Sequence, residues 1–196
     1  KIILASKSGV RKKILENHKI KCEVVVSNVD EDEVKVSLEA EGAKPLLISK
    51  NLAEIKSIKV SSKHPDKLVL GADSVISLND ELINKPKSRE EALKILKKLN
   101  NSKHYLISSV CISKNGAMIW NYSDTSELKM KNFSEKELFA YLEKINTETL
   151  LAYGVYQIEA EGLKLFEYIK GDTNSIMGLP IKDIINYINQ YKNKND

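Results

Sequence analysis

The sequence predicts an α/β fold built on a mixed sheet, and three observations carry that reading. Apolar, β-branched runs alternate with stretches whose apolar residues recur at helical spacing. Ser88-Arg89-Glu90-Glu91 and Ser134-Glu135-Lys136-Glu137 each have the capping-box pattern that opens a helix. Asn115-Gly116, inside the β-like segment 103–131, marks a long hairpin. It adds antiparallel strands to the parallel ones that strand–helix alternation implies.

In chain order, Lys1-Ile2-Ile3-Leu4-Ala5 reads as a strand, and Ser6-Lys7-Ser8-Gly9 as a small-residue turn into a helix carrying Arg11, Lys12 and Lys13. Lys21-Cys22-Glu23-Val24-Val25-Val26 is a second strand, ending in an acidic loop, Asp30-Glu31-Asp32-Glu33. Pro45 fits the first turn of a helix on which Leu52, Ile55 and the stem of Lys59 share a face, with Lys56 on a neighbouring one. Lys67-Leu68-Val69-Leu70 is a buried strand that delivers Gly71-Ala72-Asp73-Ser74 at its end, with Val75-Ile76-Ser77-Leu78 as its continuation. Asn79-Asp80 is a hairpin turn before Leu82-Ile83. The helix from Ser88 aligns Ala92, Leu93, Leu96 and Leu99, and the one from Ser134 aligns Leu138, Tyr141, Leu142 and Ile145. A last helix aligns Ile181, Ile184, Ile185, Ile188 and Tyr191 as core, and the polar end, Gln190 to Asp196, is expected to fray.

Composition narrows the function classes. With 196 residues, 42% of them hydrophobic, the chain supplies a core for a single domain over 1–196, which excludes disorder. No run approaches the roughly 18–20 apolar residues of a membrane span, and Lys1 to Ala5 is too short for a signal-peptide core, so a soluble cytoplasmic protein is expected. Cys22 and Cys111 lie in β-like runs and read as packed free thiols, and His18, His64 and His104 lack metal-ligand spacing. The net charge of +4 admits an anionic ligand. The 27 acidic residues spread among 31 basic ones are not the one-sided footprint of a nucleic-acid binder.

Chemistry concentrates in a few short segments. The Ser6-Lys7-Ser8-Gly9 turn offers hydroxyls and free N–H groups at a helix start, beside the Arg11 cation, which suits phosphate oxygens. Asp73 follows four apolar strand residues, and ligands of α/β proteins favour the carboxyl ends of strands; a turn-capping role is the alternative. Glu31 supplies a second carboxylate, and Lys85 sits in a rigid Asn84-Lys85-Pro86 turn. Hydroxyls, the cations Arg11, Lys56 and Lys85, and the carboxylates Glu31 and Asp73 together suit a polyphosphate with magnesium, a hard cation that prefers oxygen ligands.

Leu4-Ala5-Ser6-Lys7-Ser8 with Arg11, Val29-Asp30-Glu31, Leu52-Ala53 with Lys56, Gly71-Ala72-Asp73-Ser74, Lys85-Pro86, and Gly171-Asp172 with Asn174 and Gly178-Leu179-Pro180 occur in an ordered series. In these segments the chain resembles the Maf family of nucleoside triphosphate pyrophosphatases, nearly end to end. The resemblance implies a two-lobed mixed-sheet α/β fold similar to the inosine triphosphatases, with the site in the cleft between lobes. It implies hydrolysis of a nucleoside triphosphate to the monophosphate and diphosphate with a divalent cation, Mg²⁺ or Mn²⁺, and a homodimer. By position, Asp73 corresponds to the general base, Glu31 and Asp73 to metal carboxylates, and Ser8, Arg11, Lys56 and Lys85 to phosphate-binding groups.

Val10, Ser74 and Glu159 correspond to the positions that select the base. The branch acting on dTTP and UTP usually has Arg, Thr and Gln there, so this chain is closer to the 7-methyl-GTP branch. A carboxylate at Glu159 can accept from guanine N1–H and the exocyclic amine, and it complements the positive charge that N7 methylation places on the ring. That branch usually has Trp where this chain has Val10; Tyr153 and Tyr156 are candidate substitutes for stacking on a cationic base. The alternatives are a dTTP/UTP pyrophosphatase and a non-catalytic nucleotide- or RNA-binding regulator of cell division.

Overall fold

The computed structural model describes residues 1–195. Its apolar runs assemble one seven-stranded sheet in the order β2-β1-β3-β5-β6-β7, with β4 paired to β3. The strands are β1 (Ile2–Leu4), β2 (Cys22–Val24), β3 (Val69–Leu78), β4 (Glu81–Ile83), β5 (Lys103–Lys114), β6 (Ala117–Met130) and β7 (Phe166–Lys170). β1 runs parallel to β2 and β3, and every other pairing is antiparallel. The helices are α1 (Gly9–Asn17), α2 (Glu31–Ala40), α3 (Pro45–Ser61), α4 (Arg89–Leu99), α5 (Glu135–Glu143), α6 (Thr147–Tyr153), α7 (Thr173–Met177) and α8 (Ile181–Asn195). Both expected hairpins form: Asn79 and Asp80 adopt φ of 52° and 64°, and Asn115 and Gly116 adopt 51° and 78°.

The two faces of the sheet are used differently. α3 covers one, and the other carries two apolar clusters. One cluster gathers Leu4, Leu15, Leu70, Ile112 and Ile184 from β1, α1, β3, β5 and α8. The second gathers Leu96, Leu106, Leu128, Leu138 and Leu150 from α4, β5, β6, α5 and α6. A polar belt lies at the same level of the sheet. Ser74 and Ser108, directly opposite in the β3–β5 register, share a hydroxyl contact of 3.0 Å, and Ser108 Oγ donates to the Ser175 carbonyl of α7 at 2.5 Å.

Several elements differ from the sequence reading. Asp30 to Glu33 is not a loop: Asp30 caps α2 by accepting from Glu33 N, and Glu31, Asp32 and Glu33 form its first turn, where carboxylates favour the helix dipole. Asp73 is not at the end of a strand, because β3 runs unbroken from Val69 to Leu78. Lys56 faces inward, on the buried stripe with Ile48, Leu52, Ala53 and Val60, while Ile55 is exposed. α6, β7 and α7, which the sequence reading does not name, lie in a region where the apolar pattern is too short to announce them, and residues 154–160 between α6 and β7 have neither helix nor strand. The Ser134 capping box is complete; at Ser88 the Glu91 carboxylate instead accepts from Lys87 N. α8 continues through Asn195, and Asp196, the last residue expected to fray, lies outside the described residues. Cys22 and Cys111 are free thiols, as expected. Among the described residues no helix is long and apolar enough to cross a membrane.

The α3 face of the sheet depends on a close approach. A Cβ on Gly71 would collide with the Ala53 carbonyl oxygen and come within 2.8 Å of Ser57 N. Only hydrogen at position 71, with small Ala53 and Ser57 opposite, lets α3 lie this near the sheet. We expect Gly71→Ala to lose at least about 1–3 kcal/mol of stability, the usual cost of overpacking, measured by urea unfolding.

Buried in the second cluster, His104 has its Nε2 2.9 Å from the Tyr156 hydroxyl and no partner for Nδ1. Burial lowers its pKa from 6.5 to about 4. Between those values the unfolded chain binds the extra proton and the folded chain does not. Stability therefore falls as pH drops through this window, by up to roughly 3 kcal/mol once pH is below the folded value. Urea midpoints measured from pH 7 to 4 should show the loss, and His104→Gln should flatten it.

Candidate active site

The geometry of the site follows from the lengths of three strands. β1 pairs with β3 only at Ile3–Val69 and Leu4–Leu70, then ends, and β4 pairs with the same edge of β3 only from Ile76 to Leu78. The stretch Gly71 to Val75 between them is an open edge. The chain leaving β1 turns through Ser6-Lys7-Ser8 into α1, and a cleft of about 450 Å³ lies there, lined also by α2, the loop after β4 and residues 152–159. The carboxyl-end expectation thus holds for β1, with Asp73 beside it on the longer neighbouring strand. Ser8, Val10, Arg11, Glu31, Lys56, Asp73, Ser74, Lys85 and Glu159 all line this one cleft.

Lys56 is its electrostatic centre. Its buried ammonium lies 2.5 Å from Glu31 Oε1 and 3.3 Å from Asp73 Oδ1, and it donates to the Ala72 carbonyl at 2.9 Å. Ser49 Oγ donates to the Asp73 carbonyl at 3.0 Å. These two side chains satisfy main-chain acceptors on β3 from the α3 side. Asp73 Oδ2, by contrast, is buried without a hydrogen-bond partner. Burial raises the Asp73 pKa above the ordinary carboxylate range, against the opposing pull of Lys56 and Arg11. For Glu31, partial burial also pushes upward, but Lys56, Lys35 and Lys85 outweigh it and its pKa is lowered.

Arg11 is held on three sides. Its Nε donates to the Gly178 carbonyl at 2.9 Å, Nη1 to Ser6 Oγ at 3.2 Å and Nη2 to Ser74 Oγ at 3.1 Å. Gly178 adopts φ of 129°, and a side chain there would crowd Arg11 Nε at 3.2 Å. Burial lowers the Arg11 pKa, with Asp73 and Glu31 opposing that shift. A guanidinium has five N–H donors, so two remain for a ligand in a fixed plane. Ser8 caps α1 by accepting from Arg11 N at 3.2 Å, and its hydroxyl proton stays available.

Lys85 sits on the opposite rim, next to buried Pro86. Desolvation by the cleft walls, then repulsion from Arg11 and Lys35, lowers its pKa. Val10 is half-buried on the wall, and Ser74 belongs to the serine belt. Glu159 is exposed and accepts only from Gln157 Nε2, at 3.2 Å. The tyrosines divide: Tyr156 is buried against His104, and Tyr153 is 44% exposed.

Sequence reasoning missed Lys35. It follows Glu31 by one helical turn and lines the cleft, a relation hidden while Glu31 was assigned to a loop. Ser6, Ser108 and Gly178 were also missed as supports of Arg11 and Ser74. Gly178 was visible only as a member of a motif, and nothing in one sequence links it to Arg11 across 167 positions.

A profile of the Maf-like protein family matches residues 1–191. A relative from Pelagibacter ubique (strain HTCC1062), named nucleoside triphosphate pyrophosphatase, is 59% identical over 95% of this chain and 96% of its own. One from Ruegeria pomeroyi with the same name is 37% identical over 95% and 94%. One from Rhizobium etli, named 7-methyl-GTP pyrophosphatase, is 36% identical over 94% and 93%. The structure of the Staphylococcus aureus Ham1 protein superposes with a TM-score of 0.39 at 17% identity over 66% of this chain and 71% of that one, too loosely to carry an argument. The near-complete profile match and the identity sustained along almost the whole chain place this protein in the Maf-like family.

Proposed function

We propose that this protein hydrolyses 7-methyl-GTP to 7-methyl-GMP and diphosphate with the help of a divalent cation. The coarser activity, nucleoside triphosphate pyrophosphatase, is the one named for its relatives at 59% and 37% identity. The observation that carries the reading is the convergence of Asp73, Glu31, five cations and Glu159 on one cleft, although they are scattered from position 7 to position 159.

A triphosphate brings three to four negative charges, and Lys7, Arg11, Lys35, Lys56 and Lys85 against Glu31, Asp73 and Glu159 leave the cleft positive enough to receive it. Arg11, preset by Gly178, Ser6 and Ser74, meets a phosphate without first ordering its side chain. The Ser8 hydroxyl and the free N–H groups at the start of α1 donate to the same oxygens. Asp73, its pKa raised by burial and its Oδ2 uncommitted, takes the proton of the water that attacks phosphorus. Lys56 holds that carboxylate in place and offsets the charge that develops on the phosphate.

Two carboxylates fit a hard cation when phosphate and water complete its shell, and the unpartnered Oδ2 of Asp73 is the donor that supports this. Among the described residues no group of three or more His, Cys, Asp or Glu side chains gathers, so the substrate's own oxygens would be part of the set. When bound, the cation neutralises phosphate charge and makes a coordinated water more acidic.

For the base, the support is Glu159 on the cleft wall and the name of the Rhizobium etli relative. Glu159 carries the charge and acceptor geometry for a methylated guanine edge. With Tyr156 committed to the core, Tyr153 is the ring left to stack on the cationic heterocycle where Val10 offers none.

With Mg²⁺ or Mn²⁺ and a panel of 7-methyl-GTP, GTP, dTTP and UTP, the purified protein should release diphosphate, with the highest kcat/KM for 7-methyl-GTP. Orthophosphate as the product, or no turnover at all, would overturn the assignment. Asp73→Asn should keep the fold, by circular dichroism and melting, and lower kcat by about 10²–10⁴. Near-normal turnover would remove Asp73 from the base role. Glu159→Gln should cut kcat/KM for 7-methyl-GTP by about ten- to a hundredfold, since bonds to charged groups are worth about 1.5–3 kcal/mol, with little change for dTTP. An unchanged panel would sink the specificity argument.

A further inference from the structure

His104 stands outside the charged end of the cleft, yet it is fully buried and bonded to the segment that carries Glu159. It lies on the face of β5 that also carries Leu106 and Ser108. That row runs from His104, beneath residues 154–159, through Leu106 in the cleft wall to Ser108 behind Ser74. A second hydroxyl acts on the same segment: Tyr141 Oη donates to the Val155 carbonyl at 2.7 Å. Residues 154–159 have no strand or helix of their own; these two side-chain bonds, the burial of Val155, Tyr156 and Ile158, and the main-chain bonds Gly154 N to Leu150 O and Ala160 N to Gln157 O at either end shape them.

We infer that His104 is a positioning residue for base recognition: its Nε2 bond to Tyr156 sets the path of residues 154–159, and through it the placement of Glu159 and Tyr153 at the cleft. The inference rests on the reading above, in which the base lies against that segment. Stability alone does not account for this histidine. Its Nδ1 is a buried polar atom without a partner, a cost that an apolar residue of similar size would not carry. Its lowered pKa keeps the ring neutral at neutral pH, so it orients its neighbour without adding charge beneath a cationic base.

The test uses the double variant His104→Leu/Tyr156→Phe, in which both polar partners are removed and the core stays filled, with Tyr156→Phe alone as the milder change. KM for 7-methyl-GTP should rise about tenfold, the factor that corresponds to about 1.4 kcal/mol. The melting temperature should hold or increase, and the inhibition constant of inorganic triphosphate, which has no base, should not move. His104→Gln, which can still reach the Tyr156 hydroxyl, should restore most of the KM. If KM is unchanged in these variants while Glu159→Gln raises it, the positioning role is wrong and the base site stands. If Glu159→Gln is silent as well, both fall. A fall in melting temperature with equal weakening of 7-methyl-GTP and triphosphate would make His104 a structural residue only.

Discussion

A single buried ammonium organises this protein's chemistry. Lys56 joins the two sides of the cleft because its Nζ meets a carboxylate from β3, a carboxylate from α2 and a main-chain carbonyl of β3 at once. An uncompensated buried carboxylate costs roughly 3–5 kcal/mol, so Asp73 can remain in its dry position only while Lys56 is beside it. The pairing is incomplete by one oxygen. Asp73 has one oxygen facing Lys56 and the other with no partner, and burial, only partly opposed by Lys56 and Arg11, raises its pKa.

The open edge of β3 gives this charge somewhere to act. Had β1 been five residues longer, it would have covered Gly71 to Val75 and closed the cleft with main-chain hydrogen bonds. Instead, the short strand leaves the sheet early, and the turn that follows brings hydroxyls, a helix start and a guanidinium to the gap. The serine belt across β3, β5 and α7 continues the polar layer between the two apolar clusters and links Arg11 through Ser74 and Ser108 to α7.

Most of the architecture was legible because its signals are local. Both hairpins have Asn or Asp at positions of positive φ, both capping serines act as caps, and the apolar stripe of α8 is buried at Ile181, Ile184 and Ile188. The errors came where an energetic term is not local. The sequence puts Lys56 on a face beside the apolar one and not on it, because a lysine on a buried stripe is costly until its carboxylates are known, and those are 25 and 17 positions away. Glu31 reads as a loop residue because four acidic residues in a row, Asp30 to Glu33, look solvated, although they are also what a helix start favours. Asp73 was placed at a strand end because β3 carries its polar residues mid-strand, where only the early departure of β1 exposes them. Residues 154–159 have no periodicity to read, being held by the Tyr141 hydroxyl of α5 and the His104 imidazole of β5.

Two of the helices that supply the cleft's charges, α2 and α3, are anchored very differently. α3 is pressed against Gly71 so tightly that not even a methyl group fits between them, whereas α2 buries none of its side chains. Lys56 and Asp73 therefore behave as one stiff unit with the sheet. Glu31 and Lys35 ride on an element that buries no side chain, so their place on the cleft wall rests on the ion pair of Glu31 with Lys56 and not on apolar packing.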